Sequence, residues 1–368
     1  MLKPSINIEN LKPYRAGMSI DEVKRKYNLS NLIKLASNEN SYTPSERVVK
    51  ALQELSKSPY IYPDGNCTEL KKVLSAKLNI TPENLIIGNG SNEIIELCYR
   101  TFLGKGEKVI SCSPTFSFYK ICCATTNGKY LEVPLKNNTF DLNAIYTKID
   151  STTKIIIICN PNNPTGTALS LSELENFFKK IPDNILLVID EAYIEFSKEK
   201  YGAIDLIKKF PNKNLLILRT FSKLYGLASL RIGYGIANKT IIEFLNKVRQ
   251  PFNVNAFAQV AAVEALKDEE HKNKVLNHIA NEKIYLYRQF QKLNIPFIES
   301  ETNFIFFETS EDNDKIFEEF LKRGVIIRSL KSFGYSNALR VTIGTSSENR
   351  KFINALQSIV NTVLKECL

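Results

Sequence analysis

The chain has 368 residues, 43% of them hydrophobic and 24% charged, enough to bury one large core and one smaller one, so burial sets no limit on folding. Its formal charge of +10 comes from lysines and arginines dispersed among carboxylates, which argues against a nucleic-acid platform and leaves a positive field suited to anionic small molecules. The seven cysteines, at 67, 98, 112, 122, 123, 159 and 367, form no CxxC and have only His271 and His278 as companions, which argues against a metal site or a disulfide framework and for a reducing, cytoplasmic compartment.

Met1–Asn10 carries no cationic stretch followed by an apolar one. The purest apolar runs, Ile155–Cys159 and Ile185–Ile189, are far too short to cross a bilayer, so an unanchored protein is expected. Leu11–Gly17 reads as an irregular arm, Met18–Tyr27 as a short helix and Leu32–Leu35 as a short strand. Next come β-branched or leucine-rich runs at Leu85–Ile87, Lys108–Ser111, Lys129–Val133, Lys154–Cys159, Ile185–Ile189 and Leu215–Leu218, spaced widely enough for helices between them. That alternation predicts an α/β fold with a largely parallel sheet wrapped by helices. From Ala256 the pattern changes to long helices (Ala256–Leu266, Lys274–Leu293), then Thr302–Glu308, Ile316–Arg323, Val325–Arg328 and Ala338–Ile343, as in a smaller α+β domain. The expected division is an arm and part of the small domain over 1–30, a large domain over 31–255 and a small C-terminal domain over 256–368.

In open α/β sheets ligands gather beyond the carboxyl ends of the strands. Three apolar runs end there in polar residues: Asn160-Pro161-Asn162-Asn163-Pro164-Thr165-Gly166, Asp190-Glu191-Ala192-Tyr193, and Arg219-Thr220-Phe221-Ser222-Lys223. A lysine just past a buried strand, preceded by Thr220 and Ser222 and followed by Arg231, can lie in a desolvated, cation-rich pocket. Both influences lower an amine's pKa and favour a Schiff base. Alone, Lys223 would read as an ordinary surface lysine; its neighbours reverse that. Asp190 has no adjacent histidine, so a catalytic triad or metal role is poorly supported. An ion pair to a protonated heterocyclic nitrogen, as in pyridoxal-phosphate chemistry, fits better, with a helix N-cap as the bland alternative.

Those three segments, with Leu230-Arg231-Ile232-Gly233, resemble the class I/II aminotransferases, and within them the histidinol-phosphate aminotransferase subgroup. The likeness runs from Leu35-Ala36-Ser37-Asn38-Glu39-Asn40 to Leu339-Arg340-Val341-Thr342-Ile343-Gly344-Thr345. It implies the pyridoxal-phosphate fold type I, with a mostly parallel seven-stranded sheet and a smaller α+β domain. It also implies roles. Lys223 would join the cofactor aldehyde and shuttle a proton, Asp190 would pair with the pyridine nitrogen, and Asn163 and Tyr193 would bond the phenolic oxygen. Phe116 would stack on the ring, although by itself it reads as a core aromatic. Gly90, Ser91 and Asn92, opening a helix after a strand, would hold the cofactor phosphate with Ser222 and Arg231, Thr220 standing beside them. That stretch half matches a dinucleotide fingerprint, but Glu93 occupies its third glycine position, which ranks a nicotinamide reading below. For the substrate, Arg340 would grip the carboxylate of glutamate and Arg328 a substrate phosphate, with Tyr14 and Asn40 at the rim. Tyr62 would reach into a neighbouring subunit of a homodimer; Tyr14 and Tyr62 read equally well as packing residues.

Two segments depart from the subgroup, Pro13-Tyr14-Arg15-Ala16-Gly17 and Asn40-Ser41-Tyr42-Thr43-Pro44, and both border the substrate pocket. A smaller ketone such as dihydroxyacetone phosphate, giving serinol phosphate, therefore stands beside imidazole acetol phosphate as acceptor. The same lysine and electron sink would also serve a decarboxylase of phosphoserine or phosphothreonine. A ligand-binding regulator without turnover is the reading from another class, disfavoured because every catalytic position is filled.

Overall fold

The computed structural model describes residues 6–9, 11, 18–198 and 202–364. After a helix over Ile20–Tyr27 comes the short strand β1 (Ile33–Lys34). Seven strands follow: β2 (Leu85–Gly88), β3 (Lys108–Ser113), β4 (Lys129–Pro134), β5 (Thr153–Cys159), β6 (Leu186–Asp190), β7 (Leu215–Thr220) and β8 (Gly233–Ala237). They form one sheet in the order β2-β8-β7-β6-β5-β3-β4. Neighbours from β7 to β4 run parallel, whereas β8 is antiparallel to both β2 and β7. The central strands are buried at nearly every position because both sheet faces are covered, which is why Ile155–Ile158 and Leu186–Ile189 are continuous apolar runs and not alternating ones.

The six apolar runs expected as strands all form strands, but β8 had no such signature. Its sequence, Gly-Tyr-Gly-Ile-Ala, carries two glycines where strands usually carry branched residues. The reason is close packing. A Cβ on Gly233 would lie 2.5 Å from the Ser91 amide nitrogen, and one on Gly235 2.9 Å from Ile86. These glycines let the start of the helix Ser91–Phe102 sit directly against the sheet.

The remaining strands are β9 (Phe304–Glu308), β10 (Val325–Ile326), β11 (Arg328–Ser329) and β12 (Ala338–Thr342). β11-β12-β9 form an antiparallel sheet, and β10 pairs in parallel with β1. The run Val325–Arg328, expected as one strand, therefore divides at Ile327, where the chain changes partner. Phe290, Phe307, Phe320 and Phe352 fill the space beside this sheet, with ring centroids 5.2 to 6.1 Å apart. The long helix begins earlier than its apolar periodicity indicates, at Glu269, because Asp268 caps it by accepting from the His271 N–H at 3.0 Å. The Leu35 N–H donates to Ile326 at 2.7 Å and its carbonyl accepts from Thr342 at 2.8 Å. Residues just after β1 are thereby tied to the C-terminal sheets and carried to the strand ends of the large one. Among the described residues no helix is long and apolar enough to cross a membrane.

Candidate active site

Because β5, β6 and β7 are parallel neighbours, their polar carboxyl-terminal extensions emerge side by side; Cys159 stands across from Asp190, and Asp190 across from Leu218. A cavity of about 290 Å³ opens there, lined on one side by Asp190, Tyr193, Ser222 and Lys223 and on the other by Arg328 and Arg340. Asp190 is 3% exposed. Its Oδ2 accepts from the Tyr119 hydroxyl at 2.7 Å and its Oδ1 from the Ala192 N–H at 3.1 Å. Burial pushes its carboxyl up to about 6, against the pull of those two donors, with Glu191 adding to the rise and Lys223 opposing it. A buried acid in this condition is completed by a cationic partner.

The Lys223 amine donates to the Ser37 carbonyl at 3.2 Å and lies 5.6 Å from the centre of the Tyr193 ring. Burial, then the Arg340 guanidinium and more weakly that of Arg231, bring it down to about 8, while Glu39 and Asp190 pull upward. Tyr193 accepts from the Asn38 side-chain amide at 2.9 Å, and its ring meets Phe304 edge-on at 5.2 Å. Its phenol is held well above the ordinary value by burial, so it stays protonated and, with its oxygen already accepting, keeps its hydrogen for another partner.

Gly90 adopts φ +77° at the mouth of the helix Ser91–Phe102, and a Cβ there would stand 2.6 Å from Nη2 of Arg231. Only glycine leaves room for that guanidinium beside the helix start. Arg231, itself left-handed at φ 56°, donates to Ser222 Oγ at 3.4 Å and to the Ala228 carbonyl at 3.0 Å. Thr220 shapes this turn by accepting from the Ser222 N–H at 3.1 Å. Ser91 and Asn92 line the cavity next to Arg231, so helix amides, hydroxyls and a guanidinium converge on one anion-sized corner. Glu93 turns aside, accepting from the Asn89 N–H at 2.5 Å and from Asn253 at 2.7 Å.

On the opposite wall Arg340 is buried on β12, stacked 5.0 Å from the Phe304 ring centre, and donates to the Ala36 carbonyl at 2.8 Å and to Asn163 Oδ1. Arg328 stands directly across from it in the antiparallel β11–β12 pair. Phe116 lines the cavity and touches Tyr119 edge-on at 5.5 Å.

Not every expected residue converges. Asn40 does not line the cavity. It accepts from the Tyr42 N–H at 2.9 Å and donates to the Leu224 carbonyl at 2.8 Å, tying the 36–42 segment to the turn after Lys223. Tyr62 is 78% exposed, stacked on Phe252 at 4.7 Å, away from this chain's own cavity. Tyr14 lies outside the described residues. Conversely, Tyr119 and Asn38 were missed as contributors. Asn38 sits in the Leu35–Asn40 segment already singled out, where its left-handed φ of 55° suits Asn. Tyr119 reads in sequence only as one more apolar residue of a helix.

The residue set fits pyridoxal phosphate: a buried carboxylate for a cationic ring nitrogen, a low-pKa amine for an aldehyde, an aromatic for a ring face and a glycine-cleared corner for a phosphate. Residues 30–356 match the family described as aminotransferase class I and II. The chain is 46% identical to the histidinol-phosphate aminotransferase of Moorella thermoacetica over 96% of its length and 92% of the relative's. It is 45% identical to that of Caldicellulosiruptor saccharolyticus, over 96% and 99%. Among solved structures, the histidinol-phosphate aminotransferase of Sinorhizobium meliloti, in complex with pyridoxal-5'-phosphate, superposes with a TM-score of 0.90 at 23% identity, covering 99% of both chains. That of Clostridium acetobutylicum gives 0.83 at 28%, covering 90% of this chain and all of the other. The chain belongs to the class I and II aminotransferases and is a pyridoxal-phosphate-dependent enzyme.

Proposed function

We propose that this enzyme transfers an amino group between glutamate and imidazole acetol phosphate, the ketone of histidinol phosphate. The carrying observation is the cross-strand pair Arg328 and Arg340 at the cavity wall, two cations for two anionic substrates taken in turn. Near full-length likeness to relatives named for histidinol phosphate favours it over a smaller phosphorylated ketone and over decarboxylation.

Pyridoxal phosphate, when bound, supplies an aldehyde carbon for the substrate amine and a cationic ring that accepts electron density from the adjacent carbon. Asp190 would hold the proton on the ring nitrogen. Tyr193 would donate its remaining hydrogen to the phenolic oxygen, with Asn163 beside it. The amides of Gly90, Ser91 and Asn92, with Ser222 and Arg231, would take the phosphate, and Phe116 would cover a ring face. Lys223, with an amine near 8, would accept a proton from the substrate carbon and return it to the neighbouring carbon. Arg340 would orient the glutamate carboxylate and Arg328 the substrate phosphate. The two half-reactions use the same groups in succession, a ping-pong order.

We also infer a homodimer. Tyr60, Ile61, Tyr62 and Phe252 form an exposed apolar surface, which a second copy would cover while lending Tyr62 to the first copy's cavity. Sedimentation at twice the 41.8 kDa chain mass is the expected result; a monomeric holoprotein would overturn it. The buried, unpaired thiols Cys67, Cys98, Cys112, Cys122, Cys123 and Cys159 support a reducing cytoplasm as the compartment.

The substrate reading is tested by adding histidinol phosphate, serinol phosphate, phosphoserine or phosphothreonine to the holoenzyme and following the aldehyde-form absorbance. Histidinol phosphate should convert the cofactor to its amine form most efficiently, glutamate should do likewise, and Lys223→Ala should abolish both. Faster conversion by serinol phosphate would move the assignment to the smaller ketone. Release of carbon dioxide from a phosphorylated amino acid without amine-form accumulation would mark a decarboxylase.

A further inference from the structure

Tyr119 is wholly buried at the start of the helix Phe118–Thr125. Its hydroxyl donates to Asp190 Oδ2 at 2.7 Å, and its ring meets Phe116 edge-on, with centroids 5.5 Å apart at 86°. One side chain thus touches both the acid and the aromatic that face the cofactor ring in the reading above. We propose that Tyr119 is a positioning residue that keeps Asp190 ionised and aimed into the cavity, so that cofactor affinity near neutral pH depends on its hydroxyl. This rests on Asp190 being the partner of the ring nitrogen.

A carboxylate removed from water favours its neutral form, and a donated hydrogen bond favours the charged one. The other groups around Asp190 do not supply a comparable steady donor. On its own strand end, the Ala192 N–H reaches Oδ1 only, and Glu191, an acid paired with Arg219, works against ionisation. Tyr193 makes no hydrogen bond to Asp190; its oxygen accepts from the Asn38 amide, and its own hydrogen is left for the cavity. Cys159 on β5 faces both Asp190 and Tyr119, but burial pushes its thiol up to about 12, and its Sγ–H points to the Pro161 carbonyl at 3.4 Å. Lys223 favours ionisation, yet its amine lies near 8 and is committed to the aldehyde. Tyr119 remains a donor throughout, because burial and the neighbouring Asp190 hold its phenol well above the ordinary value.

With Tyr119 in place, the Asp190 carboxyl lies near 6, so affinity for the ring cation is full above that pH and declines below it. Removing the hydroxyl raises that carboxyl further, and the decline then begins at a higher pH.

The experiment is equilibrium dialysis of apoprotein against pyridoxal phosphate, at intervals from about pH 5.5 to about pH 8.5, for the parent, Tyr119→Phe, Asp190→Asn and the double variant. Tyr119→Phe keeps the ring against Phe116 and removes only the hydroxyl. We expect it to weaken binding about twofold at about pH 7 and by nearly tenfold at the acid end, to move the acid midpoint up by about one pH unit, and to approach the parent at the alkaline end. In the Asp190→Asn background the same change should do nothing further, because the amide does not ionise. An unmoved midpoint, a loss equal at every pH, or an undiminished loss in the Asp190→Asn background would overturn the role of Tyr119. If Asp190→Asn bound the cofactor as tightly as the parent, the ring-nitrogen assignment itself would fail, and this inference with it.

Discussion

The two walls of the cavity are built differently. On the large-sheet side the groups lining the cavity are oriented by neighbours that leave one capacity unused: Asp190 by Tyr119 and Ala192, Tyr193 by Asn38, Arg231 by Ser222 and Ala228. On the small-sheet side Arg340 is held flat by Phe304, Asn163 and the Ala36 carbonyl, whereas the Arg328 side chain, across the strand pair, has no hydrogen-bond or ion-pair partner among the described residues. A site that retains one cofactor can fix its donors in advance. A site that must accept two substrates in turn needs one rigid cation and one that can adjust.

Removing each arginine sharpens that contrast most. Arg328→Ala should lower kcat/KM for histidinol phosphate about 100-fold while lowering it less than about tenfold for glutamate, since phosphate is the more highly charged of the two anions. Arg340→Ala should reverse the ranking, because histidinol phosphate has no carboxylate for a bidentate fork to hold. Single-turnover absorbance changes with each substrate separate the two effects. Equal losses on both substrates for both variants would show that the arginines act as one undivided anion site.

The same contrast governs how much could be read without coordinates. The large sheet announces itself, since Ile155–Ile158, Leu186–Ile189 and Leu215–Leu218 must be apolar on both faces and polar where they end. That is also why the place of Asp190 and Lys223 at the strand ends was legible. β8 was not, because Gly233 and Gly235 answer to the closeness of Ser91 and Ile86 and not to strand propensity. Asn38 and Tyr119 were hidden for another reason. Their partners lie 155 and 71 residues away, and a Tyr within Phe118-Tyr119-Lys120-Ile121-Cys122 has nothing local to mark it as a donor to an acid. Asn40 differs in the opposite sense, since it lies in a segment that reaches the cavity but spends its amide on Leu224 and Tyr42. Tyr62 lines no part of this chain's own cavity, so nothing within one chain decides what its exposed ring does.

The smallest expected effect tests how firmly the large-sheet wall sets its chemistry. Only the neutral Lys223 amine attacks an aldehyde, and this amine is brought to about 8 chiefly by burial, aided by Arg340 and Arg231. Because the shift is downward, the reactive form grows as pH rises through 8, from roughly a tenth of the molecules at pH 7 to roughly nine tenths at pH 9. The rate of cofactor capture by apoprotein, followed by stopped-flow absorbance, should therefore rise about tenfold across that interval and level off. An amine at the ordinary lysine value would instead gain about a hundredfold over the same two units without a plateau. Arg340→Ala should lift the plateau to higher pH, since the guanidinium is the largest electrostatic contributor to the lowered value. A plateau that stays in place would mean that burial alone sets the amine, and that the small-sheet wall has no electrostatic hold on the lysine opposite.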